Sequence, residues 1–448
     1  MTVIPSITEL ARALRSGETS ATDLVRRALR RIHELNPAVN AFALIDEEGA
    51  YRSARIVDEE RAAGIDRGPL HGVPVAVKDL IDMDGLPTTC GSATSFGATA
   101  TEDAEVVRRL RDRGAVIVGK TTLHEFAYGA TGDRSVHGPS RNPIDPSRMS
   151  GGSSGGSAVA VAAGMVPLAI GTDTAGSVRV PAALCGVVGF KPTYDAISTK
   201  GVYPLAPSLD HVGVFATTVE DVRLGYDALV DQPTYDAECG GEVVVGWISP
   251  RDIAMTDPRV EALVRDVLDR SGFGVEEAPR FPRAPGDQTW FEAFTTLQSS
   301  EAFRVHEHHL DDDRALIDAE VFARLQAGGR VQPGRYAQAE HARDYLRAIV
   351  DGMLRDFDIL ALPTVPIVAP EIGARSIQVA GNDLEVRSAL LSLTSLWNLT
   401  GMPAISVPAG NLEGLPVAIQ LLVAPGNEHK LFAAARALQA TQTTAQSR

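Results

Sequence analysis

Between residues 147 and 192 the chain carries few large side chains, yet segments built for a core lie on either side. The run holds GGSSGGS at 151–157 and GTDTAGSVRVP at 171–181. Glycine at this density permits backbone angles closed to other residues and lets other backbone or a ligand approach closely. A flexible linker would share the composition, but linkers do not sit between buried strands. The stretch therefore reads as a ligand-facing loop system fixed within a folded domain.

The flanks set the fold class. Residues 70–80 (LHGVPVAVKDL) are apolar and β-branched, and 114–119 (GAVIVG) repeat the character. Both read as buried strands, with a helix expected over 103–113. Two helices are expected over 6–35, opened by capping boxes at Ser6/Glu9 and Ser20/Asp23. Further strands are expected at 243–248, 358–363 and 403–408, with helices at 257–271 and 428–441 and a mostly helical, polar region over 286–350. Alternating strands and helices imply a parallel α/β architecture. With 44% hydrophobic residues and no evident linker or repeat, a single large domain is favoured.

Charge and cysteines remove several classes. Lys plus Arg is 42 against 57 for Asp plus Glu, a net charge of −15, which argues against nucleic acid or an anionic membrane. Three cysteines, Cys90, Cys185 and Cys239, form neither a disulfide framework nor a CxxC zinc pattern. The first twenty residues lack a signal-peptide core, and the longest apolar run is too short to span a bilayer. A cytoplasmic protein is expected.

Several motifs suggest chemistry that their surroundings refuse. GAVIVGKT at 114–121 matches the phosphate-loop pattern, but its interior is strand-forming where a phosphate loop must be free to wrap. Val75-Ala76-Val77-Lys78 has the look of a kinase lysine without the kinase's other signatures. GGSSGGS satisfies a nucleophile-elbow pattern, yet a loop-like segment precedes it and no histidine partner is evident. His306, His308 and His309 lack metal-ligand spacing and read as a solvated helical face, so no metal site is expected. Lys78 stands apart: it ends a buried strand, where partial desolvation lowers a lysine's pKa and frees it to act as a base.

GVPVAVKD, GGSSGGS, GTDTAGSVRVPAA and CGVVGFKPT occur in that order. Together they resemble the amidase-signature family, over about 70–222 and more weakly over 360–420. The resemblance implies a central mixed, mostly parallel twisted sheet covered by helices on both faces. It implies one domain over 1–448: a signature core at about 70–222, a helical pocket-capping region at about 226–350, and a return to the sheet at 351–448. It implies that Ser177 is the nucleophile, that Ser153, following a cis peptide, is the bridging serine, and that Lys78 is the base. The backbone N–H groups of Thr174, Ala175, Gly176 and Ser177 match its oxyanion turn. The chain departs from the family's commoner pattern at Ala175 and Ala418, where relatives carry glycine.

The chemistry implied is hydrolysis of a small carboxamide C–N bond through an acyl-enzyme, with no cofactor. A lysine at its ordinary pKa of about 10.4 would be a poor base at neutral pH, so burial must make the neutral amine available. Thr131 and Arg134 are expected to bind substrate, Arg134 by pairing with a carboxylate. Similarity of the 131–138, 198–202 and 208–212 segments to allophanate hydrolases makes a carboxylated urea one alternative substrate. The amidase subunit of a tRNA-dependent amidotransferase is another alternative. A small amide is the expected partner, and a homodimer is compatible.

Overall fold

The computed structural model describes residues 5–94, 99–234, 243–308 and 310–446. Of the two expected capping boxes one closes fully, and at the other only the serine hydroxyl caps. Ser6 and Glu9 form a reciprocal box at helix Ile7–Ser16, and the Ser20 hydroxyl accepts from Asp23 N at helix Ala21–Val39.

Thirteen strands are described. β1 is Phe42–Ile45, β2 Pro74–Lys78, β3 Val116–Thr121, β4 Leu168–Thr172, β5 Val188–Lys191, β6 Val212–Ala216, β7 Val244–Trp247, β8 Gly274–Glu277 and β9 Ile359–Pro363. β10 (Ser376–Val379) and β11 (Asn382–Glu385) form a separate two-stranded sheet, and β12 is Ala404–Leu412 and β13 Leu415–Leu422. The other eleven make one sheet in the order β1-β3-β2-β4-β6-β5-β12-β13-β9-β7-β8.

The sheet is mixed, but antiparallel pairings outnumber parallel ones, which corrects the mostly parallel expectation. β2 does lie parallel between β3 and β4. Beyond β4 the order changes, because β6 inserts antiparallel between β4 and β5. β12 and β13 then form a hairpin whose turn residues, Glu413 and Gly414, both have positive φ, 55° and 81°. That geometry suits a two-residue connection and needs no helical crossover.

Helices cover both faces, and the strand period divides the core. Val75 and Val77 point into one hydrophobic cluster and Ala76 into another. Burial on both faces explains why β2 reads as a continuous apolar run. A third cluster joins the sheet's β9 and β13 to helices Trp290–His306 and Pro333–Asp356. The polar-helix reading of this region needs one correction: His306 is buried, 4.4 Å from the Phe126 ring. It follows Ala302 by one helical turn and so shares that helix's apolar face. His309 and Cys239 lie outside the described residues.

The phosphate-loop match is the fully buried strand β3, and its Lys120 pairs with Asp79 at 2.9 Å. Among the described residues, no helix is long and apolar enough to cross a membrane.

Candidate active site

Parallel strands end at the same edge of a sheet. β2 and β4 are in register from Val75↔Leu168 to Val77↔Ile170, so Lys78 and Thr172 emerge side by side. The Lys78 amine lies 2.7 Å from Ser153 Oγ and 2.7 Å from Thr172 Oγ1, and the residue is wholly buried. Burial pushes its pKa down to about 7, against the opposing pull of the Asp173 and Asp210 carboxylates. A large share of the amine is therefore neutral near pH 7, as a base requires.

Ser153 stands just before helix Gly155–Ala162 and follows a cis Gly152–Ser153 peptide. Glycine is needed at 152 because a Cβ there would meet Gly132 N at 2.7 Å and Gly129 O at 3.1 Å. The 124–132 segment thus packs directly on the serine loop, and His124 N donates to Ser153 O at 3.0 Å. Ser154 N donates to Ser177 O at 3.2 Å, which seats the second serine turn against the first. Lys78, Ser153 and Ser177 are brought to one place from three separate segments.

The turn carrying Ser177 is held by Asp173. Its carboxylate accepts from Gly176 N at 2.8 Å and Val178 N at 3.1 Å, and pairs with Arg179 at 2.9 Å. Burial alone would raise the Asp173 pKa, but Arg179, Lys191 and Asn398 draw it well below the usual carboxylate range. Arg179 also donates to Thr394 O and to the side chains of Asn398 and Gln420. Thr394 Oγ1 in turn donates to Ala175 O at 2.6 Å. Gly176 has φ +130°, and a Cβ there would lie 2.2 Å from Thr394 Oγ1.

Of the four expected oxyanion donors, the structure commits Gly176 N–H to Asp173. Among the described residues, the N–H groups of Thr174, Ala175 and Ser177 have no hydrogen-bond acceptor. Ala175 is not among the positive-φ residues, so its methyl group is accommodated without left-handed backbone.

Thr131 lies on the segment that packs against the serine loop, whereas Arg134 is turned to a distant helix. Thr131 is buried, donates to Asp133 at 2.6 Å and contacts His124 Nδ1 at 3.3 Å. Arg134 is paired at 2.5 Å with Glu320 and lies 3.8 Å from Asp318, both at the start of helix Ala319–Gly328. Its charge is already answered, so it is not poised to receive a substrate carboxylate.

Two other arginines are less closely paired. Arg324 and Arg387 stack over the Tyr128 ring at 5.5 and 5.8 Å. Arg324 reaches His124 Nε2 at 3.4 Å, and its nearest carboxylate, Glu320, is 4.0 Å away. Arg387 donates to Gln298 Oε1 at 3.3 Å. The Nε atoms of both are shielded from solvent and lack an acceptor among the described residues. Burial, with the neighbouring Arg387, lowers the Arg324 pKa to about 10, which leaves it charged at neutral pH. Sequence reasoning missed both, because they lie in stretches with no readable motif.

Comparison with known proteins decides the family. The amidase family's profile matches residues 23–432. The chain belongs to the amidase family. This amidase is 37% identical to AtzE, a 1-carboxybiuret hydrolase subunit of Pseudomonas sp. (strain ADP), across 97% of this chain and 98% of that protein. It is also 37% identical to the A subunit of the glutamyl-tRNA(Gln) amidotransferase of Acidothermus cellulolyticus, across 96% and 93% of the two chains. A crystal structure of an amidase superposes with a TM-score of 0.91 at 35% identity, covering 98% of this chain and all of the other. A 6-aminohexanoate cyclic dimer hydrolase follows at 0.86 and 30%, covering 98% and 96%. The chain is thus an amidase-signature hydrolase acting on carbon–nitrogen bonds.

Proposed function

We propose that this amidase hydrolyses a small carboxamide or ureide bearing a carboxylate, with Ser177 as nucleophile, Ser153 as proton relay and Lys78 as base. The observation that carries the reading is the buried 2.7 Å contact between Lys78 and Ser153, with the amine poised near neutrality. A neutral amine has a lone pair to accept the Ser153 proton. Ser153 then takes the proton of Ser177 as that oxygen attacks the amide carbonyl. The tetrahedral oxyanion faces the free N–H groups of Thr174, Ala175 and Ser177. The proton returns by the same route to the leaving nitrogen, and water resolves the acyl-enzyme.

The substrate class follows from charge. Asp133 and Glu320 are satisfied by Arg375, and Glu320 also by Arg134. Arg324 is left beside His124, one hydrogen bond from the Ser153 backbone, and Arg387 lies with it over the Tyr128 ring. Shielded charges in folded proteins are ordinarily paired, so an anion is the missing partner. The likeness to AtzE, whose hydrolase acts on 1-carboxybiuret, agrees with a carboxylated urea. The helices over 286–350 supply Arg324, Glu301 and Glu320 and are read as the pocket's cap. Cys90 and Cys185 are buried and unpaired, in keeping with a reducing cytoplasm.

The test is ammonia release from matched pairs of anionic and neutral amides, ureides and glutamine. Wild type should prefer the anionic member, and Ser177→Ala should abolish release while the protein stays folded. Turnover retained in Ser177→Ala would reject the nucleophile. The amidotransferase reading would be favoured instead if glutamine were turned over only with partner proteins present.

A further inference from the structure

The segment Ser208-Leu209-Asp210-His211-Val212 takes no part in the reaction as described, yet the sheet carries it to the nucleophile turn. β4 and β6 pair antiparallel with Thr172 opposite Val212. The ladder continues one step further, with Asp173 N donating to His211 O at 2.8 Å and His211 N to Asp173 O at 3.1 Å. The next residue on each strand is then Thr174 on one side and Asp210 on the other. Thr174 Oγ1 donates to Asp210 Oδ1 at 2.6 Å. The Asp210 carboxylate also accepts from Leu205 N at 2.9 Å and Ala206 N at 3.1 Å, so it is itself fixed by the loop that carries it.

We infer that Asp210 is a positioning residue with two effects, locking Thr174 within the oxyanion turn and placing a fixed negative charge beside Lys78. This rests on the triad reading above. Asp173 holds the turn through Gly176, Val178 and Arg179, whereas Asp210 holds it through Thr174. Removing either side frees the intervening N–H groups of Thr174 and Ala175 to move. The charge effect has a structural basis as well. Thr172, which accepts from Lys78, lines the same cavity of about 50 Å³ as Thr174, Asp210 and His211.

The charged and titratable groups around the pair are few. Asp173, Asp210 and the Cys90 thiol act on Lys78, all in the direction that raises its pKa. Asp210 faces Glu301, with the Tyr194 phenol nearby, and burial raises its own pKa. His211 is kept neutral by burial, with Nδ1 2.7 Å from Leu209 O.

The test needs no knowledge of the natural substrate. A small alkyl fluorophosphonate phosphonylates an activated serine: Ser177 Oγ forms the bond to phosphorus, fluoride leaves, and the serine proton passes through Ser153 to Lys78. The rate of labelling at Ser177, measured against pH, then reports both effects. Wild type should show an acid limb near pH 7 from Lys78. In Asp210→Asn the limb should move to lower pH by about half a unit or more, because one of two carboxylates favouring the ammonium form is gone. Thr174→Val leaves the charge and removes only the tether. Its labelling should fall on the order of tenfold or more at every pH, with the limb unmoved, and Thr174→Ser should restore it. An Asp210→Asn limb that coincides with wild type, or Thr174→Val labelled at the wild-type rate, overturns the inference. A wild-type protein that is not labelled at Ser177 at all overturns the triad reading as well.

Discussion

Replacing Lys78 with methionine should destroy activity and remove a pH dependence from the stability of the fold. The folded protein holds this amine at a pKa of about 7, whereas an unfolded lysine titrates at about 10.4. Between those values the unfolded chain binds a proton that the folded chain does not, so wild-type stability falls as pH falls. The slope is about 1.36 kcal/mol per pH unit, which amounts to about 3 kcal/mol between pH 9.5 and 7. Methionine has a similar length and no proton to bind, and it escapes this penalty. It leaves both Ser153 and Thr172 without the amine between them, at a cost of about 1–3 kcal/mol for each unpaired buried hydroxyl, which offsets much of the gain at pH 7 but does not vary with pH. Urea unfolding of both proteins from pH 7 to 9.5 isolates the titrating part. The stability of Lys78→Met relative to wild type should be greatest at pH 7 and shrink by about 3 kcal/mol by pH 9.5. A difference that stays constant with pH would mean that Lys78 is charged in the folded state, and the neutral-base argument would fail.

Two other outcomes follow from the same geometry. Arg324→Met should raise KM for carboxylate-bearing amides by about tenfold or more while sparing their neutral analogues, whereas Arg134→Met should leave that ratio unchanged. Steady-state kinetics on the matched pair checks both, and the reverse ranking would return the carboxylate to Arg134. Gly176→Ala should cost on the order of a hundredfold in kcat/KM, since its methyl group would meet Thr394 Oγ1 at 2.2 Å and displace the oxyanion turn. A near-wild-type rate would show that the turn can relax without losing its donors.

What the sequence disclosed was what is local. Ser153 and Ser177 lie within short runs whose residue order is itself the signal, and Lys78 ends a strand legible by its apolar run. The strands at 74–78, 116–121 and 359–363 were readable for the same reason. The direction of the strands beyond β4 was not, because periodicity gives burial and carries no information about which neighbour a strand will meet. Partners of charges were equally hidden. Arg134 looked free because Glu320 and Asp318 approach it from a distant helix. His306 looked solvated because Phe126 and Tyr203 reach it across the fold.

The site sorts its cations by what each can do when buried. Arg179 and Lys120 have carboxylates at 2.9 Å and stay structural. A lysine without such a contact can shed its proton, and Lys78 and Lys191 both sit well below the ordinary lysine range because of burial. Neutrality alone therefore does not make a base. Among the described residues the Lys191 amine hydrogen-bonds only to the Pro192 carbonyl, which has no proton to give, while the Lys78 amine meets a serine hydroxyl. Arginine has no such exit near neutral pH, where even the lowered pKa of Arg324 leaves its guanidinium protonated. A half-buried arginine with no close carboxylate favours an anion, which is the basis on which the proposed function assigns Arg324 and Arg387 to a substrate carboxylate. On the proposed function, the same desolvation yields a proton acceptor where the sequence puts lysine against serine, and an anion receptor where it puts arginine against tyrosine.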